Sequence, residues 1–255
     1  MPDTLNLFGA TIELNANLVL LLVIVYIAGI IRGFTGFGSA LLIVPALAVI
    51  YGPVQAVVIE VMIEVPVTLG LLPVAIKKAV RKTVLPMLLM FLLFVPVGTL
   101  FLKVFDPGIM KIVISLLVLF FVVVIAFQNQ LAILLTRGGV LAAGVFSGIS
   151  QGMTGMAGPL FATALLARGE GAAQTRANIT AVSGGLIFFT AASFFLFDLV
   201  TVQAMIYAAI ATPAILLGAW TGVTLFARLS HWNLRGVILV FLALTAIVTL
   251  FQAVV

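Results

Sequence analysis

Two carboxylates and one guanidinium stand inside apolar sequence, Glu60 and Glu64 in the run 54–76 and Arg32 in the run 17–50. Four residues apart, the acids share one helical face. Like charges that close in a low dielectric do not readily both ionise, so one of the pair is expected to hold a proton near neutral pH. A proton-coupled carrier needs such a group. Glu64 falls near the centre of its run, and a structural role suits it equally: pairing with a buried cation such as Arg32, while Glu60 reaches the outer interface. These roles are not exclusive. Arg32 itself offers a planar fork of donors matched to two oxyanion oxygens. At membrane depth its charge costs about 3 kcal/mol on insertion scales, and it would normally be paired or facing water.

Beside Arg32 lies Gly33-Phe34-Thr35-Gly36-Phe37-Gly38-Ser39, and the pattern recurs as Gly152-Met153-Thr154-Gly155-Met156-Ala157-Gly158. Glycine is costly inside a helix and useful where backbone turns sharply or approaches something closely, so paired breaks point to paired ligand-binding elements of a transporter. Unwound backbone in hydrocarbon is tolerated only where protein or a water-filled cavity covers it. Exposed N–H groups at a helix start, with the positive dipole end, attract an oxyanion. The candidate binding residues are therefore Arg32, Gly33, Thr35, Gly36, Phe37, Gly38 and Ser39, with Gln151, Gly152, Thr154, Gly155 and Gly158 from the second run. Arg176 and Asn178 are the corresponding cation and amide of the second half. Glu60 and Glu64 are the proton-coupling candidates. Ile179 and Ser183 occupy the equivalent positions later in the chain, so only one half carries acid. Gly144 and Gly148 read as small-residue helix packing.

The elements that must position these groups are membrane helices. Of 255 residues, 64% are hydrophobic and only 7% charged, with mean hydropathy +1.41, a composition foreign to soluble domains. The first seventeen residues carry Asp3 and Glu13 without Lys or Arg, so they are expected to be mature sequence rather than a secretory signal. Cysteine is absent, which removes disulfides, thiolate metal sites and cysteine nucleophiles. HExxH does not occur, and a single histidine is poor ground for a metal, so no enzyme and no cofactor is expected. The net charge of +5 is spread over short connections and is densest at Lys77, Lys78, Arg81 and Lys82, a topology signal rather than a nucleic-acid footprint.

Apolar runs near 54–76, 84–104, 109–128, 172–197, 202–226 and 234–254 are each long enough to cross a bilayer. The regions 17–50 and 139–168 are each split by a glycine run into arms of about ten to fifteen residues, too short to span alone. Loop charge favours hairpins that re-enter over broken helices that cross. With hairpins, the acidic N-terminus lies outside, and 77–82, Arg137, Arg168 to Arg176 and Arg228 to Arg235 all lie inside. The expected fold is thus an all-α polytopic membrane protein of two inverted repeats, 17–128 and 139–255, after an N-terminal segment 1–16 and joined by the loop 129–138. Each repeat holds one glycine-broken re-entrant hairpin and three transmembrane helices.

Over residues 17–253 the chain resembles the sulfite exporter TauE/SafE family of bacterial anion transporters. The resemblance is carried by Gly29-Ile30-Ile31-Arg32-Gly33-Phe34-Thr35-Gly36-Phe37-Gly38 through Leu41-Leu42-Ile43-Val44-Pro45, and by Gly144-Val145-Phe146-Ser147-Gly148 through Gly158-Pro159-Leu160. Family members usually carry a glycine run after the first break, where this chain has Gly38-Ser39-Ala40 and Ala157-Gly158-Pro159. The resemblance implies movement of a small sulfur-containing anion, sulfite or an organosulfonate, without ATP hydrolysis. The expected partners are that anion, membrane lipid and protons, in the inner membrane, with no signal for an oligomeric state. A channel, or a carrier of another small organic anion, is the alternative.

Overall fold

In the computed structural model, residues 3–7, 10–35, 38–127, 136–166, 168 and 170–228 are described. An antiparallel hairpin opens the chain, β1 (Asp3–Leu7) against β2 (Ala10–Leu14), with Leu5 opposite Ile12. Nine helices follow among the described residues: α1 (Ala16–Thr35), α2 (Ser39–Tyr51), α3 (Pro53–Lys78), α4 (Arg81–Val104), α5 (Pro107–Ala126), α6 (Arg137–Thr154), α7 (Gly158–Leu166), α8 (Ala172–Leu196) and α9 (Val202–Arg228). Apart from the small hairpin, the expected all-α fold is what is seen. The apolar run 234–254 lies outside the described residues.

Among the described residues, six helices are long and apolar enough to cross a membrane, α1, α3, α4, α5, α8 and α9. Five match the runs read from sequence. The sixth corrects an expectation: α1 has 20 residues and α6 has 18, about 30 and 27 Å at 1.5 Å per residue. Neither is a ten-to-fifteen-residue arm. Each stays helical through the first glycine of its run and breaks only near the second. The second arms are short, with 13 residues in α2 and 9 in α7.

The physical reason is that Gly33 and Gly152 sit where another helix crosses at backbone distance. A Cβ on Gly33 would overlap the Ala219 carbonyl on α9, and one on Gly152 would overlap the Val95 carbonyl on α4. The first seam is built by Gly29 and Gly33 against Gly218 and Gly222, and the second by Gly148 and Gly152 against α4 around Phe94 and Gly98. Association of membrane helices relies on such close packing because lipid supplies no hydrophobic drive between them. Gly144 and Gly148 meet Met90 and Phe94 side chains at 3.1 and 3.0 Å from an added Cβ.

Local signals place the ends. Pro53 and Pro107 open α3 and α5, where a missing N–H is harmless. Thr136 caps α6, its hydroxyl accepting from the Gly139 N–H at 3.0 Å. Lys77 and Lys78 complement the C-terminal dipole of α3. α3 packs along α8 and α9, α4 along α6 and α8, and α2 lies over α1, α3 and α5. α3 and α8 are the most enclosed of the long helices. Outward faces carry Leu85, Leu92, Leu93, Leu196 and Trp220, all exposed, as suits contact with lipid tails.

Candidate functional site

The site is built on α3. Glu60 and Glu64 are each only 1% exposed. Glu64 Oε1 accepts a hydrogen bond from Ser39 Oγ at 2.7 Å, and Oε2 forms an ion pair with Arg32. Arg32 stands in the last turn of α1 and Ser39 begins α2. Glu64 therefore ties together the two arms of the first break. One turn earlier on the same face, Glu60 meets the second break: a Cβ on Gly155 would lie 2.9 Å from Glu60 Oε2. The expectation that Glu60 reaches the outer interface is corrected, because the α6–α7 junction covers it.

Both breaks use left-handed backbone, with φ of 96° at Gly38 and 69° at Gly155. Residues with a Cβ pay for that region and glycine does not. Between the breaks lies a cavity of ≈ 50 Å³ lined by Arg32, Gly38 and Ser39 from the first, Gln151, Gly155 and Gly158 from the second, and both acids. Ser183 of α8 completes the polar wall; Leu41, Met156, Phe161, Leu186 and Ile187 form the apolar one. The space suits a few waters or one compact oxyanion. Among the described residues, Glu60 Oε2 and Gln151 Nε2 are buried there without a hydrogen-bond partner.

The remaining sequence candidates lie elsewhere. Gly33 and Gly152 serve the helix seams. Thr154 is buried and its hydroxyl donates to the Ser150 carbonyl at 2.7 Å within α6. Arg176 is exposed at the start of α8. Asn178 accepts from the Val80 N–H at 2.8 Å and donates to Glu170 Oε2 at 2.6 Å, in a polar clasp joining the α3–α4 turn to the start of α8. Gly36, Phe37 and the Thr35 side chain lie outside the described residues. Sequence reasoning passed over Ser183 as a site residue, although the internal match had set it opposite Glu64.

The sulfite exporter TauE/SafE profile matches residues 21–249. The chain belongs to that family. No curated protein and no solved structure matches it. The TauE/SafE match spans both breaks, both acids and Arg32, so the cavity lies inside the shared region. This TauE/SafE member is a multi-pass membrane protein, and its family is one of membrane transporters for sulfite or related anions.

Proposed function

We propose that the protein is a secondary transporter that moves a small sulfur-containing anion, sulfite or an organosulfonate, across the inner membrane by alternating access, with the α3 acids coupling transport to protons. The observation that carries the reading is the convergence of two glycine breaks on Glu60 and Glu64, around a cavity that also holds Arg32 and Gln151. Arg32, Gln151, Ser39 and the backbone about Gly38, Gly155 and Gly158 bind the anion. Glu64 holds Arg32 in place, and an arriving anion competes with it for the guanidinium. Arg32 has donors beyond those that Glu64 uses and turns them to the substrate, while a proton held at the acid pair accompanies the anion, which links anion and proton in one step.

The inverted arrangement of 17–128 and 139–255 is supported by exchange in the packing. α1 of the first half lies along α9 of the second, α6 of the second lies along α4 of the first, and α3 lies against α8. A two-fold relation in the membrane plane asks for such reciprocal pairs. The N-terminus is placed outside, from the inward position of Lys77 to Lys82.

Uptake and counterflow in proteoliposomes test the reading, with sulfite, short organosulfonates and carboxylates, with and without a proton gradient. Saturable, gradient-dependent movement of a sulfur oxyanion with counterflow is expected. Movement without counterflow would mark a channel, and no movement of any anion by folded protein would refute the proposal.

A further inference from the structure

Two unpaired atoms describe the ligand. Glu60 Oε2 as a carboxylate accepts only and Gln151 Nε2 donates only; both side chains are at most 3% exposed, both line the same cavity, and neither has a partner among the described residues. Leaving such groups unmatched is costly, so the occupant is expected to satisfy both. Arg32 adds further donors, since a guanidinium carries five N–H groups and its pairing with Glu64 does not use them all. A ligand that fits has oxygens for Arg32 and Gln151 and a hydrogen for Glu60.

Charge leads to the same place. Among the described residues, the charged groups facing Glu60 are Glu64 on its own helix and Arg32 from α1. Ser39 of α2, Gln151 of α6 and Ser183 of α8 are neutral, and α7 presents no titratable group. With both acids ionised, one cation against two carboxylates would leave the cavity a single negative charge. An anion cannot face the second carboxylate bare; one hydrogen must lie between them.

Resting on the transporter reading above, we propose that the cavity selects an oxyanion bearing one hydrogen on oxygen, hydrogensulfite in place of the sulfite dianion. Glu60 accepts that hydrogen while Gln151 and Arg32 donate to the other oxygens. Glu60 and Gln151 are the specificity-determining pair. The proton count is one whether the hydrogen sits on the anion or on Glu60, so the substrate brings its proton with it. Cavity size agrees, because ≈ 50 Å³ favours a compact head over an extended organosulfonate.

Methanesulfonate is the discriminating probe. It carries one negative charge and three oxygens on sulfur, as hydrogensulfite can, but has a methyl group on sulfur in place of the lone pair and no hydrogen on oxygen. Binding of sulfite and methanesulfonate is measured by titration calorimetry on the purified full chain, and counterflow is measured in proteoliposomes. Wild type is expected to bind methanesulfonate roughly 10-fold or more weakly, since that anion brings no hydrogen and Glu60 must stay unpaired or draw a proton from solution. In Glu60→Gln the amide can donate to an oxygen, and the gap is expected to close to within about 3-fold. Gln151→Leu removes a donor that both anions use, so both weaken and the gap persists. Equal binding in wild type, or an unchanged gap in Glu60→Gln that still binds sulfite, overturns this inference and leaves the transporter reading standing. Failure of every sulfur oxyanion to bind or exchange overturns both.

Discussion

Stability and transport should respond differently to loss of the buried Arg32–Glu64 pair. Neutralising Arg32 with Arg32→Gln leaves the Glu64 carboxylate, 1% exposed, with Ser39 as its remaining hydrogen-bond donor. Removing one partner of a buried pair costs about 3–5 kcal/mol. The Arg32 side chain retains 15% exposure, so some of that cost is relieved by water, and about 3 kcal/mol is the better figure. For a chain of this size about 2–4 °C of melting temperature goes with each kcal/mol, giving a loss of roughly 6–12 °C. The double variant Arg32→Gln with Glu64→Gln replaces the charges by two amides that can bond each other, and such neutral replacements are often close to neutral in stability. Its melting temperature should recover most of the loss, while sulfite counterflow stays abolished in both variants. Heat challenge followed by size-exclusion chromatography reads the first quantity and proteoliposome counterflow the second. An Arg32→Gln protein melting with wild type, or a double variant as unstable as the sum of the singles, refutes the pairing argument.

Gly152→Ala pushes a Cβ into the Val95 carbonyl and should cost about 1–3 kcal/mol of stability while anion affinity in the surviving folded protein changes less than about 3-fold, read by melting and calorimetry. Gly155→Ala meets both a left-handed φ of 69° and the Glu60 carboxylate; counterflow should fall at least about 10-fold, because the added methyl crowds the acid that faces the cavity. Asn178→Ala strips the Val80 N–H and Glu170 of their partner, and about 1–3 kcal/mol of stability should be lost with sulfite affinity intact. Cysteines introduced singly at Lys78 and Asp198 in this cysteine-free chain should label from the inside and the outside respectively, and the reverse pattern would invert the proposed topology.

Span positions were legible because hydropathy and charge report solvent directly: α3, α4, α5, α8 and α9 lie where the runs placed them. The acid pair was legible too, since an i, i+4 spacing fixes a shared face without tertiary knowledge. What misled was reading every glycine in a run as a break. Gly33 and Gly36, or Gly152 and Gly155, look alike in sequence. Whether a glycine ends a helix or admits a neighbouring backbone depends on a partner, Ala219 or Val95, that nothing local names. The same applies to Asn178, whose amide could as well have faced an anion as the Val80 N–H. Ser183 escaped notice because a hydroxyl in an apolar helix is ordinary, and only the fold shows it across the cavity from the acids.

The two glycine seams bear on how the molecule moves. Where Gly33 meets Ala219 and Gly152 meets Val95 no side chain separates the helices, so neither α1 on α9 nor α6 on α4 can slide there without collision. Each pair takes one member from before residue 128 and one from after residue 135. A chain interrupted between those positions keeps both pairs, so fragments 1–128 and 136–255 made together should find each other through these seams and reassemble a working transporter.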